Sequence, residues 1–126
     1  MKIPEEYLPV MPYIITEDAS GFLKFTKDVF GASEQMIVPG EGQRGIMHGE
    51  IRIFDAVIMF ADKPDAFETR ACGMFIYVDD VDSIYRKALG QSAKSLMEPV
   101  KQDYGYTAGF EDPFRNQWWI VEAEKE

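Results

Sequence analysis

The sequence predicts an α+β fold built from two βαβββ modules, and two observations support this prediction. The first is a pattern that occurs twice: a short apolar stretch, an acidic residue, an amphipathic stretch that ends in glycine, and further apolar stretches. The copies begin at Pro12 and Met74. The second is length, because 126 residues suffice for one domain but not for two independent cores. We expect a single domain over residues 1–126, with modules at about 8–62 and 72–123.

The first module is predicted to open with a strand over residues 11–15. Asp18 or Ser20 can cap the helix that follows, since their side-chain oxygens accept hydrogen bonds from free backbone N–H groups. Gly31 is expected to end this helix. Three strands are predicted next, over residues 33–38, 46–53 and 56–61, with a loop at 39–43 and a tight turn at 54–55.

The second module repeats this order after a polar linker over residues 63–71. A strand is predicted at 74–78, and Asp80 or Asp82 can start a helix that runs to about Leu89. A short strand ahead of Pro99, over residues 95–97, is followed by strands at 106–111 and 117–121.

Composition limits the function classes. The formal charge of −9 argues against nucleic acid and against anionic membrane surfaces, because contact with phosphates needs clustered lysine and arginine. No apolar stretch approaches the length of a membrane span. Cys72 is the only cysteine, so it forms no intrachain disulfide, and a lone thiol suits the reducing cytoplasm in which we expect the protein.

Several short motifs follow one another along nearly the whole chain: Pro12-Tyr13-Ile14, Phe30-Gly31-Ala32, Ile46-Met47-His48-Gly49-Glu50, Tyr77-Val78-Asp79-Asp80-Val81-Asp82, and Asp112-Pro113-Phe114 ahead of Trp118-Trp119-Ile120. This ordered set resembles the vicinal oxygen chelate superfamily, which includes glyoxalase I, bleomycin-resistance proteins and extradiol dioxygenases. Within that superfamily it looks most like the PhnB-like branch. The resemblance implies a cup-shaped, curved mixed sheet with the helices outside, and a homodimer.

The resemblance also tells where a metal would be held. In metal-dependent members, four ligands, usually His or Glu, come from the first and fourth strands of each module. The matching positions here are Met11, Met59, Gly73 and Trp119. A thioether favours soft copper(I), glycine has no side chain and the indole N–H only donates. We therefore expect no metal and no other cofactor.

Without a metal, the residues expected to line the cup are largely apolar and aromatic, which suits a small organic ligand. The alternative is that these side chains fill the cup by packing on one another. The ligand-binding residues predicted in this way are Tyr13, Arg52, Met59, Phe75, Tyr77, Tyr104, Tyr106 and Trp119.

One polar group interrupts this lining. Alternation along the strand at 46–53 puts His48, Glu50 and Arg52 on one face. His48 can act as a general base or hydrogen-bond donor, and Glu50 can orient it or bind substrate. Arg52 can hold a carboxylate or phosphonate in a bidentate fork. The alternative is a structural ion network at the cup rim or the dimer seam.

These residues leave three functions open. The favoured one is a protein that binds a small organic molecule in a metal-free, aromatic-lined cup. The second is an enzyme that uses His48 and Glu50 as an acid–base pair, or a non-standard metal site. The third is a protein whose main role is assembly.

Overall fold

Each half of the chain folds into one four-stranded mixed sheet with one helix, as seen in the computed structural model, which describes residues 1–125. The first compact unit is Met1–Arg70, and the second begins at Ala71. Both follow the order βαβββ, so the predicted α+β fold of two such modules is confirmed.

In the first unit the strand order across the sheet is β1-β4-β3-β2. Strand β1 runs parallel to β4, and the other neighbours are antiparallel. A single 3₁₀ turn, Glu41–Gln43, lies between β2 and β3. The elements are β1 Tyr13–Thr16, α1 Ala19–Phe30, β2 Ser33–Pro39, β3 Ile46–Ile53 and β4 Ala56–Asp62.

The second unit has the equivalent order β5-β8-β7-β6, with β5 parallel to β8. Over the described part of the chain, neither helix is long and apolar enough to cross a membrane. The elements are β5 Gly73–Val78, α2 Val81–Gly90, β6 Lys94–Gln102, β7 Gly105–Glu111 and β8 Gln117–Glu122.

The helix starts depend on aspartate caps. Asp18 accepts a hydrogen bond from the Gly21 N–H at 2.9 Å, and Asp80 accepts one from the Ser83 N–H at 3.1 Å. Both predicted caps are therefore used, in preference to Ser20 and Asp82. Gly31 adopts the left-handed conformation, with φ of 70°, that ends α1.

Three predicted boundaries were wrong. Strand β1 begins at Tyr13 rather than Met11, because Pro12 has no N–H to donate, although its carbonyl accepts from the Met59 N–H. Gly90 lies inside α2, and the left-handed residue beyond the helix is Ser92, with φ of 72°. Strand β6 extends through Pro99, which an edge strand with bulges tolerates.

The last residue of each fourth strand is an acid that binds a helix start. Asp62 accepts hydrogen bonds from the Ala19 N–H at 2.8 Å and from the Ile46 N–H at 2.6 Å. Glu122 accepts one from the Val81 N–H at 3.2 Å. An anion at a helix N-terminus is favoured by the helix dipole. These bonds hold each helix over one face of its sheet, so the other face is available for a site.

Candidate functional site

The face of the first sheet that lies opposite α1 carries most of the predicted site of that unit. Strand pairing aligns Tyr13 with Met59, Met59 with Glu50, and Glu50 with Met36. Residues that pair directly across neighbouring strands share a face. Tyr13, Met59 and Glu50 therefore lie in one row, as the alternation of β3 predicts.

Tyr13, His48 and Glu50 form a continuous line of hydrogen bonds. The Tyr13 hydroxyl lies 3.0 Å from His48 Nδ1, and His48 Nε2 lies 2.8 Å from Glu50 Oε2. An ionised carboxylate only accepts hydrogen bonds, so His48 Nε2 carries a hydrogen and donates a hydrogen bond to Glu50. In the neutral imidazole Nδ1 is then an acceptor, and the Tyr13 hydroxyl donates to it.

Glu50 is the most buried member of this line, with only 2% of its surface exposed. The Tyr7 hydroxyl contacts both of its carboxylate oxygens, at 3.0 and 3.1 Å, and Gln35 Nε2 donates at 3.0 Å. Burial alone would raise the pKa of Glu50. The hydrogen bonds from Gln35, His48 and Tyr7 together outweigh burial and hold that pKa below its ordinary value.

The guanidinium of Arg52 is engaged within the protein. Its Nη2 atom donates to Gln35 Oε1 at 2.8 Å and to the Glu6 carbonyl at 3.1 Å. Arg52 thus lies on the predicted face. Its Nη2 atom, however, already donates to two oxygens of the protein, so only the rest of the guanidinium is left for a ligand carboxylate. Together with Tyr7, Tyr13, Gln35, His48 and Glu50, it forms what we call the polar network.

Two members of the polar network, Tyr7 and Gln35, were not predicted from the sequence. Tyr7 belongs to an aperiodic, proline-containing segment, residues 1–12, which we call the N-terminal strap. Gln35 lies at a bulge between Glu34 and Met36, which breaks the alternation of β2. The strap bounds an open pocket of about 420 Å³, lined by Met1, Ile3, Pro4, Tyr7, Leu8, Pro9, Met11 and Met59.

In the second unit, aromatic side chains cluster on one face of the sheet. Phe75 and Tyr77 of β5 have ring centroids 5.6 Å apart, and Tyr104, in the turn between β6 and β7, lies 6.3 Å from Phe75. These three side chains are 57%, 58% and 59% exposed. Trp119 pairs with Phe75 across β5 and β8 and therefore shares this face. We call these four residues the aromatic face.

Tyr106 does not belong to the aromatic face, contrary to expectation. It alternates with Thr107, whose partner Val121 lies on the Tyr77 side of the sheet. The Tyr106 hydroxyl instead donates to Asp82 of α2 at 2.6 Å. This hydrogen bond, reinforced by burial, raises the pKa of Tyr106. Tyr106 therefore fastens the helix to the sheet.

The Asp112-Pro113-Phe114 motif is a structural turn. The buried Asp112 carboxylate accepts from the Phe114 and Asn116 N–H groups at 2.8 and 2.9 Å and from Trp118 Nε1 at 2.8 Å. Burial raises the pKa of Asp112 in spite of these donors. Arg115 has φ of 76°, a left-handed conformation that glycine adopts more readily than arginine.

The positions matched to the superfamily's metal ligands do not fit a hard or borderline divalent ion. Met59 and Trp119 lie beside Tyr13 and Phe75, which add a phenol and a phenyl ring. Within residues 1–125, no group of three or more His, Cys, Asp or Glu side chains is arranged to hold a metal.

The model of the Glyoxalase/Bleomycin resistance protein/Dioxygenase superfamily matches residues 9–120. Among solved structures, a Pseudomonas aeruginosa protein aligns with a TM-score of 0.78 at 15% identity, covering 94% of this chain and 100% of its own. A PhnB protein from Bacillus cereus has a TM-score of 0.74 at 14% identity, covering 92% and 100%. The fosfomycin resistance protein FosX from Listeria monocytogenes has a TM-score of 0.66 at 14% identity, covering 94% of each chain. No curated protein matches the sequence significantly. The match over most of its length shows that this chain belongs to the Glyoxalase/Bleomycin resistance protein/Dioxygenase superfamily.

Proposed function

We propose that this chain binds a small, flat organic molecule without a metal ion, and that the aromatic face is its principal contact. The observation that carries the proposal is the exposure of Phe75, Tyr77 and Tyr104, each more than half accessible on one sheet face. Aromatic rings gain most from burial, and a contiguous exposed group of them marks a binding surface.

The electrostatics narrow the class of ligand. The chain carries a net charge of −9, which repels anions and attracts cations. The electron-rich faces of tyrosine and tryptophan rings also attract a cation placed over them. A planar molecule that is neutral or positively charged therefore fits better than an anionic one.

Proflavine, a planar aromatic cation, is a suitable probe. Tryptophan fluorescence supplies the readout, since Trp119 lies on the aromatic face while Trp118, the other tryptophan, is buried. We expect saturable quenching for the wild-type protein and affinity about tenfold weaker for Phe75→Ala, because one stacked ring is lost. Phe67→Ala is the matched control, since Phe67 is 61% exposed in the segment between β4 and β5 of the first unit and should not alter affinity. Equal losses in both variants, or no saturable quenching, would contradict the proposal.

A second copy of the chain is the other possible occupant of the aromatic face, since we also propose a homodimer. Sedimentation velocity distinguishes the two occupants. A dimer that persists in Phe75→Ala is consistent with a ligand surface. Dissociation in that variant and not in Phe67→Ala would assign the aromatic face to the subunit interface.

The Tyr13–His48–Glu50 line of hydrogen bonds supports a second candidate function, that of an enzyme. Glu50 fixes the imidazole, His48 Nδ1 can take a proton from Tyr13 or from a substrate, and Tyr13 is the exposed end. A binding protein returns its ligand unchanged, as mass spectrometry can verify. If the wild-type protein converts a ligand and His48→Gln does not, the chain is an enzyme.

We also propose that the chain belongs to the PhnB-like branch of the superfamily and that the protein is located in the cytoplasm. The PhnB protein from Bacillus cereus supports placement in the PhnB-like branch through its fold alone. The single cysteine, Cys72, supports a reducing cytoplasmic location.

A further inference from the structure

The polar network is covered by a segment that is not part of the sheet. None of residues 1–12 belongs to a strand, and Pro4, Pro9 and Pro12 deprive the strap of backbone donors that a sheet would need. At its end the Pro12 carbonyl accepts from the Met59 N–H; before that, its polar anchors to the sheet face are the Tyr7 hydroxyl on Glu50 and the Glu6 carbonyl, which accepts from Gln35 and Arg52. The strap is thus held mainly through side chains.

Tyr7 occupies this face as a bound molecule would. Its hydroxyl shares one proton between the two oxygens of a buried carboxylate, while its ring borders the apolar pocket beside Met59. This combination of a ring in an apolar setting and one O–H aimed at Glu50 describes a phenol. The adjoining space of about 420 Å³ shows that the strap does not pack tightly against the sheet.

We propose that the first sheet has a binding site for hydroxyaromatic molecules, and that Tyr7 of the N-terminal strap occupies it until such a ligand takes its place. The ligand hydroxyl donates a hydrogen bond to Glu50 in place of the Tyr7 hydroxyl. The site selects a neutral phenol over a carboxylate, because a second anion beside the Glu50 carboxylate would be repelled. This extends the proposed function from the aromatic face to the first sheet.

Displacement of Tyr7 by a ligand can be tested by removing one atom, the Tyr7 hydroxyl oxygen. The apparent affinity of a ligand that competes with an internal occupant is its intrinsic affinity multiplied by the fraction of time that the site is free. Removing the Tyr7 hydroxyl weakens the occupant and leaves Glu50 with an unfilled acceptor. We expect Tyr7→Phe to bind p-cresol, the tyrosine side-chain analogue, about tenfold more tightly than the wild-type protein.

Two-dimensional NMR of ¹⁵N-labelled protein measures this binding and locates it. The shifts expected on p-cresol addition lie at residues 5–8, Gln35, His48 and Glu50. Toluene, which lacks the hydroxyl, should bind more weakly than p-cresol to both the wild-type protein and Tyr7→Phe. Tyr85→Phe is the matched control: it loses a tyrosine hydroxyl that donates to Ser95 at 2.6 Å in the second unit, and should bind p-cresol as the wild-type protein does.

A second variant identifies the acceptor. Adding Glu50→Gln to Tyr7→Phe should abolish the gain in p-cresol affinity. Equal p-cresol affinity in Tyr7→Phe and the wild-type protein, or shifts confined to the second unit, would overturn the inference. The proflavine experiment reports on the aromatic face of the second unit and not on the first sheet. A negative result with p-cresol therefore does not decide whether the aromatic face binds a ligand.

Discussion

At the residue scale, Glu50 determines the character of the first sheet face. Its carboxylate accepts from Tyr7, Gln35 and His48, and it is almost fully buried. A charge in such a position is tolerable only when its lone pairs are used. The hydrogen bonds from Tyr7, Gln35 and His48 therefore make the burial of the Glu50 carboxylate possible.

The lowered pKa of Glu50 predicts how stability responds to acid. The ionised form is favoured in the folded state, so its contribution is complete above the ordinary pKa of 4.5 and is lost as the pH falls through the lower folded value. We expect Glu50→Gln to lower the free energy of unfolding by about 1–3 kcal/mol at pH 7, because the glutamine amide faces three donors. This deficit should shrink as the pH falls from 4.5 towards 3.

Urea unfolding between pH 3 and 7 measures this deficit. Glu124→Gln is the control for loss of charge, because Glu124 is exposed in the tail. A deficit that stays constant across the range would show that the charge of Glu50 is not what the donors stabilise.

At the element scale, the two modules repeat the fold but not the chemistry of its exposed sheet face. Strand pairing makes Met59 and Trp119 equivalent, and their partners on the third strands are Glu50 and Gly109. The position that holds a carboxylate in β3 thus holds no side chain in β7. The Trp119 ring fills that space, since a Cβ on Gly109 would lie 2.3 Å from it.

Gly109→Ala should therefore displace the Trp119 ring. We expect a loss of about 1–3 kcal/mol in the free energy of unfolding, because the new methyl group overfills a packed position. The tryptophan emission spectrum should change as well. Urea titration followed by fluorescence gives both quantities.

Gly73→Ala is the matched control on the same sheet. A Cβ at Gly73 meets nothing within 4 Å, so this change should alter stability by less than about 0.5 kcal/mol. Comparable losses in the two variants would mean that Trp119 does not depend on the missing side chain of Gly109.

The sequence predicted the elements better than their contacts. Periodicity and capping residues were sufficient for both helices and all eight strands, and alternation along β3 correctly placed His48, Glu50 and Arg52 on one face. Alternation fails where a bulge shifts the register, as at Gln35, and it says nothing of an aperiodic segment such as the strap. The placement of Tyr106 was missed because its exact register in β7 decides which face it shares.

At the scale of the whole molecule, the chain keeps its superfamily's fold while its side chains differ from the usual metal ligands. Met59 and Trp119 are the residues that the sequence resemblance matches to metal-ligand positions on β4 and β8, which are usually His or Glu in metal-dependent members. The backbone pattern can persist through such changes because strand pairing and the helix caps do not depend on these side chains.

This difference predicts that divalent metals leave stability unchanged. A site that binds the folded state adds about 2.7 kcal/mol when the metal concentration is a hundred times its Kd. Protein stripped with EDTA and then given Ni²⁺, Zn²⁺ or Fe²⁺ should keep the same melting temperature. A reproducible increase with any of these ions, reversed by EDTA, would show that a metal site exists despite the donor set.

Asp62 links local openings that would otherwise be independent. Its two oxygens bind the first amide of α1 and the first amide of β3, so fraying at either terminus leaves part of the same carboxylate without a donor. The start of the helix and the start of the strand are thereby coupled into one cooperative unit. We therefore expect a disturbance at one terminus to be felt at the other through the Asp62 carboxylate.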